Sequence, residues 1–170
     1  ISGADGVQGH TRTLWRLLSR YQVPTFIFVN KMDQPGMDKK MVYAQLKEML
    51  SSECVDFTDT FTETFYEEAA MTDEQMLEEF LSEGKVSHEQ LVHAIAQRKI
   101  FPCFFGSALK DFGMEELIEG MAEYIKAPYR SDEFAARVFK ITRDAQGNRL
   151  VHMKITGGSL KVRTVLASAN

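Results

Sequence analysis

Two short polar clusters carry the chemistry this chain can offer: Asn30-Lys31-Met32-Asp33 and Ser107-Ala108-Leu109. A carboxylate accepts two neighbouring donors as a bidentate pair. Guanine has such a pair on its Watson–Crick edge, the ring N1–H and the exocyclic amine, and adenine does not. Asp33 suits that contact. The aliphatic stem of Lys31 can lie across a base face while its ammonium stays in water. Asn30 can bond the base or tie neighbouring loops together. Ser107-Ala108 can aim a backbone N–H at the base carbonyl, where a small side chain allows close approach. Selectivity then comes from the carboxylate that the wrong base leaves unpaired. The plainer alternative is a strand-to-loop turn with Asn and Asp as turn formers.

Both clusters stand at the end of an apolar run. Thr25 to Asn30 follows Pro24 and precedes the Gln34-Pro35-Gly36 break, which reads as a strand buried on both faces of a parallel sheet. Ile100 to Gly106 reads the same way, with Pro102 confined to its start or to a side that needs no ladder bond. Ligands in open α/β sheets bind beyond the carboxyl ends of the strands, where these polar residues lie.

The remaining elements follow from periodicity. Leu14, Leu17, Leu18 and Tyr21 predict a helix over 11–21, with Arg12, Arg16 and Arg20 on another side. A second helix is expected over 38–50, a short strand over 54–58, and a last helix over 114–125. Between about 63 and 98 the chain is acidic and carries the capping patterns Thr72-x-x-Gln75 and Ser87-x-x-Gln90, so two or three short helices are expected. They lie between two strands expected to be neighbours and so form an insertion outside the sheet. The acidic run reads as a solvated face, or as a docking surface for a basic partner. After a linker at 127–132 the period changes to strands at 135–142, 150–156 and 160–166, which marks a domain boundary. About 38 residues cannot close a barrel.

Composition narrows the class. The 170 residues are 44% hydrophobic and 26% charged, with a formal net charge of -4, so no broad basic surface announces nucleic acid. Two cysteines without a Cys-x-x-Cys pair argue against zinc and for a reduced, cytoplasmic protein. Apolar runs fall short of the roughly 18 residues of a membrane span, and no signal peptide is visible. The histidines read as surface residues, Cys103 as a small buried hydrophobe, and Met37, Met41, Met49, Met71 and Met76 as packing residues. The chain opens without Met on what looks like a strand end, and is expected to be part of something larger.

Asn30-Lys31-Met32-Asp33 resembles the guanine-specificity motif of GTP-binding proteins, and Ser107-Ala108-Leu109 their second base-contact motif. Gly3-Ala4-Asp5-Gly6-Val7-Gln8 with Thr11-Arg12 resembles the strand end and helix before that motif in the elongation factor G family of translational GTPases. Val138-Phe139-Lys140-Ile141 and Gly157-Gly158-Ser159-Leu160 resemble the first strands of that family's β-barrel. The short insertion and Phe101 to Ala108 look most like the tetracycline-resistance ribosomal protection proteins. The resemblance implies an α/β fold: the C-terminal part of a P-loop-type G domain over 1–128, with a helical insertion at about 52–98, then the first strands of a β-barrel over 133–170. It implies GTP or GDP as ligand, base contacts from Asn30, Lys31, Asp33, Ser107, Ala108 and Leu109, and the ribosome, with its rRNA and ribosomal proteins, as partner. An oligomer is not expected of the parent but is open to the chain alone. No Gly-x-x-x-x-Gly-Lys-Ser/Thr, Mg²⁺-binding switch Thr or Asp-x-x-Gly-His is present. The chain alone is therefore expected to be catalytically inactive, with the Mg²⁺ ligands and the water-positioning His elsewhere in the parent. Two rival readings are a non-catalytic ribosome- or RNA-binding module and a peptide-release GTPase.

Overall fold

The computed structural model describes residues 1–126 and 131–166, which fall into two compact units divided between Lys126 and Ala127. Most of the expected linker lies outside the described residues.

The first unit is a parallel sheet between two helical layers. Its strands are β1 (Ile27–Val29), β2 (Cys54–Asp56) and β3 (Phe101–Phe105), in the order β1-β3-β2. Ile27 pairs with Cys103, and Asp56 reaches the same residue from the other edge. Beyond β1, Ser2 makes a parallel bridge to Asn30. Alternation along the strands divides the core in two. Ile27, Val29, Phe101, Cys103 and Phe105 face helix α1 (Gly9–Arg20) and helix α2 (Lys39–Met49), where Val42 and Leu46 meet them. Ile100 and Phe104 face the other layer, built from α3 (Glu63–Ala70), α4 (Glu74–Glu83), α5 (His88–Ala96) and α6 (Met114–Tyr124). Gly120 of α6 is small because the Phe104 ring lies where its Cβ would be, 2.6 Å away.

Several expectations change here. Only β3 is buried at every position; in β1, Phe28 is half-buried between two buried neighbours. The stretch 52–98 is not wholly outside the sheet, because β2 is its edge strand. Cys54 faces one core and Val55 the other, and the helices after them supply much of the second core. Helix α1 is turned from its expected face: Leu14, Leu17 and Tyr21 are exposed, and Trp15 makes the core contact, edge-on to Phe101 at 4.6 Å. Met41 and Met71 are exposed rather than packed. Asp73, not Thr72, caps α4 by accepting the Gln75 N–H, while Thr72 donates to Ala69 O. Ser87 does cap α5, but the carboxamide oxygen of Gln90 is buried without a partner, so its capping box is half-made. Pro102 is accommodated as anticipated: Phe101 N–H and Cys103 O bond the β2 side, which turns the missing Pro102 donor toward β1 before their pairing begins.

The second unit is an antiparallel hairpin of β4 (Ala135–Arg143) and β5 (Arg149–Gly157), joined by a turn in which Asp144 accepts the Gln146 and Asn148 N–H groups. A bulge between Val138 and Lys140 resets the alternation. Arg137, Lys140, His152 and Lys154 consequently share one face, and Val138, Ile141, Val151 and Met153 the other. The third strand expected over 160–166 does not form. A strand needs extended backbone throughout, and here a turn from Lys161 to Thr164 with Arg163 at φ +65° interrupts it.

Candidate functional site

The two polar clusters meet at the carboxyl ends of β1 and β3. Their loops are stitched by three bonds. Gly106 N–H donates to Val29 O (2.9 Å), Met32 N–H to Gly106 O (3.0 Å), and Ala108 N–H to the Asn30 side-chain oxygen (2.9 Å). The last joins residues 78 positions apart. Asn30 Oδ1 also accepts Lys31 N–H at 2.8 Å, which supports Lys31 in the left-handed region at φ +67°. Of the two roles open to Asn30, tying the loops is the one this geometry displays.

The second loop is closed on itself. Ser107 N–H donates to Phe112 O (2.8 Å) and Phe112 N–H returns to Ser107 O (3.1 Å), around a 3₁₀ turn at Ala108–Lys110. That closure demands glycine on either side. A Cβ on Gly106 would stand 2.1 Å from Phe112 O, and Gly113 has φ +76° with Phe105 O 2.4 Å from its would-be Cβ. The amides of Ser107 and Ala108, one of which is expected to reach a base carbonyl, are thus both engaged within the chain.

Asp33 is held from the same loop. The buried Ser107 hydroxyl, and after it the Lys110 ammonium 3.3 Å from Oδ2, keep its carboxyl below the ordinary value. Leu109 is almost fully exposed. Lys110, Phe112 and Gly113 escaped the sequence reading, which took Gly106 only as the end of the strand. The glycines at either end of the loop were the available signal for its closure; nothing in the spacing marks Lys110.

The chemistry of this corner is that of a rigid, partly polar ledge with one carboxylate and two lysines. Residues 1–127 match the family model of the elongation factor Tu GTP binding domain. The chain belongs to that family. Among its relatives, the tetracycline resistance protein TetO of Streptococcus mutans is 31% identical over 183 residues, covering 98% of this chain and 29% of the relative. TetM of Ureaplasma urealyticum is 31% identical over 180 residues, covering 96% and 28%. The chain therefore spans less than a third of the length of these curated relatives. A crystal structure of a Thermus thermophilus protein superposes with a TM-score of 0.74 at 19% identity, over 95% of this chain and 31% of that one. This GTP-binding-domain chain is thus a mixed α/β protein of the translational GTPase group, related to the tetracycline resistance proteins. No helix among the described residues is long and apolar enough to cross a membrane.

Proposed function

We propose that this chain is the guanine-selecting part of a ribosome-associated translation factor, acting in ribosomal protection against tetracycline or in translocation. The observation that carries the reading is the Ala108–Asn30 bond, which brings two motifs distant in sequence to one strand-end ledge in a GTP-binding family. On this reading Asp33 accepts guanine N1–H and the exocyclic amine, the Lys31 stem covers a base face, and Asn30 holds the Ser107-Ala108-Leu109 loop against the base edge. Residues 1–128 are the C-terminal part of a P-loop-type G domain, and the hairpin opens a β-barrel.

Phosphoryl transfer needs phosphate clamps, Mg²⁺ and a placed water. The sequence has no phosphate-binding loop, and among the described residues no group of three His, Cys, Asp or Glu side chains is placed to hold an ion. The residues present do not fit Mg²⁺, and no catalytic step is assigned to them. The contribution proposed for this chain is choice of base. Micromolar GTP affinity of the chain alone would overturn that division of labour. In the full-length protein, Asp33→Asn exchanges one acceptor for a donor. Its preference should move from guanosine toward xanthosine nucleotides, whose C2 bears a carbonyl; unchanged preference would remove Asp33 from the site.

The resistance branch rests on the relatives' names, and the ribosomal role on the family resemblance and on the hairpin, whose Arg137, Lys140, His152 and Lys154 share a face suited to RNA phosphates. Tetracycline challenge of cells expressing the full-length protein tests the resistance branch, and unchanged sensitivity would leave translocation.

A further inference from the structure

Two lysines belong to the loops around Asp33, and they are placed differently. Lys31 is two residues away in sequence, but its backbone sits in the left-handed region and the ion pair of Asp33 is made with another residue. Lys110 arrives from the 3₁₀ turn, where its N–H bonds Ser107 O at 3.1 Å, and its ammonium stands 3.3 Å from Asp33 Oδ2. The lysine side chain is 63% exposed and the aspartate side chain 23%. The pair is thus made by a largely solvent-exposed cation, within reach of a competing donor. An ammonium offers the same thing that a guanine edge offers, N–H donors directed at carboxylate oxygens.

We propose that Lys110 is a built-in competitor for guanine. Without ligand its ammonium occupies the Asp33 carboxylate, and a guanine base must displace it before the N1–H and amine can pair there. The inference rests on the base-reading role of Asp33 proposed above and adds a displacement step to it. The consequence is a carboxylate kept oriented while empty, at some loss of affinity. Lys31 is left for the base face, so the two lysines have separate duties.

Exposed ion pairs are weak, so the expected effect is small but measurable. Lys110→Gln should bind guanosine roughly two- to fivefold more tightly than the wild type, whereas Lys110→Arg, which keeps the cation, should not gain. Raising salt should help guanosine binding to the wild type more than to Lys110→Gln, because salt screens the competing pair. The test is a titration of the full-length protein and its Lys110→Gln variant with guanosine, with adenosine as control, alongside an NMR pH titration of the Asp33 carboxyl in the labelled chain without nucleoside. In the latter, Lys110→Gln should raise the Asp33 pKa. If that pKa does not move, the pair is absent in solution and the competitor is overturned while base reading stands. If it rises but guanosine binds Lys110→Gln no better, Lys110 does not compete. If guanosine and adenosine act alike on wild type and variant, base reading fails and the competitor fails with it.

Discussion

Strands β3 and β4 are both rich in apolar residues, and their surroundings are opposite. Every residue of Phe101–Phe105 is buried, while in Ala135–Arg143 eight of nine are exposed and Thr142 is half-buried. β3 has a parallel neighbour on each edge and a helical layer on each face. β4 has one neighbour, β5, and exposes Val138 and Ile141 on one face and a row of cations on the other. An apolar pattern states what a strand can bury. Burial itself depends on cover, which the helices after β1 and β2 supply in the first unit.

The sharpest way to break this contrast is to delete a core ring. Phe104→Ala should destabilise the first unit by about 3–5 kcal/mol in chemical denaturation, the range for a buried Phe; a loss below about 1 kcal/mol would mean that this core is not packed as described. Next in size is the polar hub between α2, β2 and α3. Tyr43 OH donates to Glu68 Oε2 at 2.6 Å and accepts from Asp56 N–H at 3.2 Å. Tyr43→Phe leaves both without that partner and should cost about 1–3 kcal/mol.

A smaller effect is read with pH. Asp73 has its carboxyl held below 3.8, first by the hydrogen bond from Lys99 and then by the amides it caps. A depressed acid stabilises the folded state above its unfolded pKa, and the contribution fades as pH falls through the folded value. Asp73→Asn keeps a capping oxygen and removes the charge. It should lower stability by about 0.2–1 kcal/mol near neutrality, the range for an exposed pair, and the two proteins should converge as pH falls through the depressed folded value. An equal difference across the whole range would assign the effect to capping instead. The smallest change closes the comparison. Phe139→Ala, at a ring 70% exposed in the hairpin, should shift stability by no more than about 0.5 kcal/mol.

The same contrast explains how far the sequence could be read. Both motif-bearing strands were legible because an apolar run between Pro or Gly breaks has few other solutions. Asn30 and Ala108 could be placed at strand ends for that reason. The bond between them, and the engagement of both loop amides within the chain, depend on side-chain geometry that no spacing encodes. Helix α1 was legible as a helix but not in its rotation: Leu14 and Leu17 advertise a face, yet Trp15 is the residue that finds an aromatic neighbour. Residues 160–166 have the composition of a strand, but the turn from Lys161 to Thr164 takes their backbone out of the extended form. Lys110 was invisible because a lone lysine after a loop motif is ordinary, and its significance comes from Asp33, far earlier in the chain.

Trp15 has one more consequence. It is the chain's single tryptophan, set edge-on against Phe101 with the Arg98 guanidinium over its ring at 5.4 Å. Arg98 also donates to Val23 O and, at 2.8 Å, to Thr25 Oγ1. The indole therefore senses whether α1, the entry to β1 and the entry to β3 are still together. Its emission is an optical gauge of the first unit alone. A fluorescence melt of this protein follows one half of the chain and is blind to the hairpin, whose order must be followed through its backbone signals.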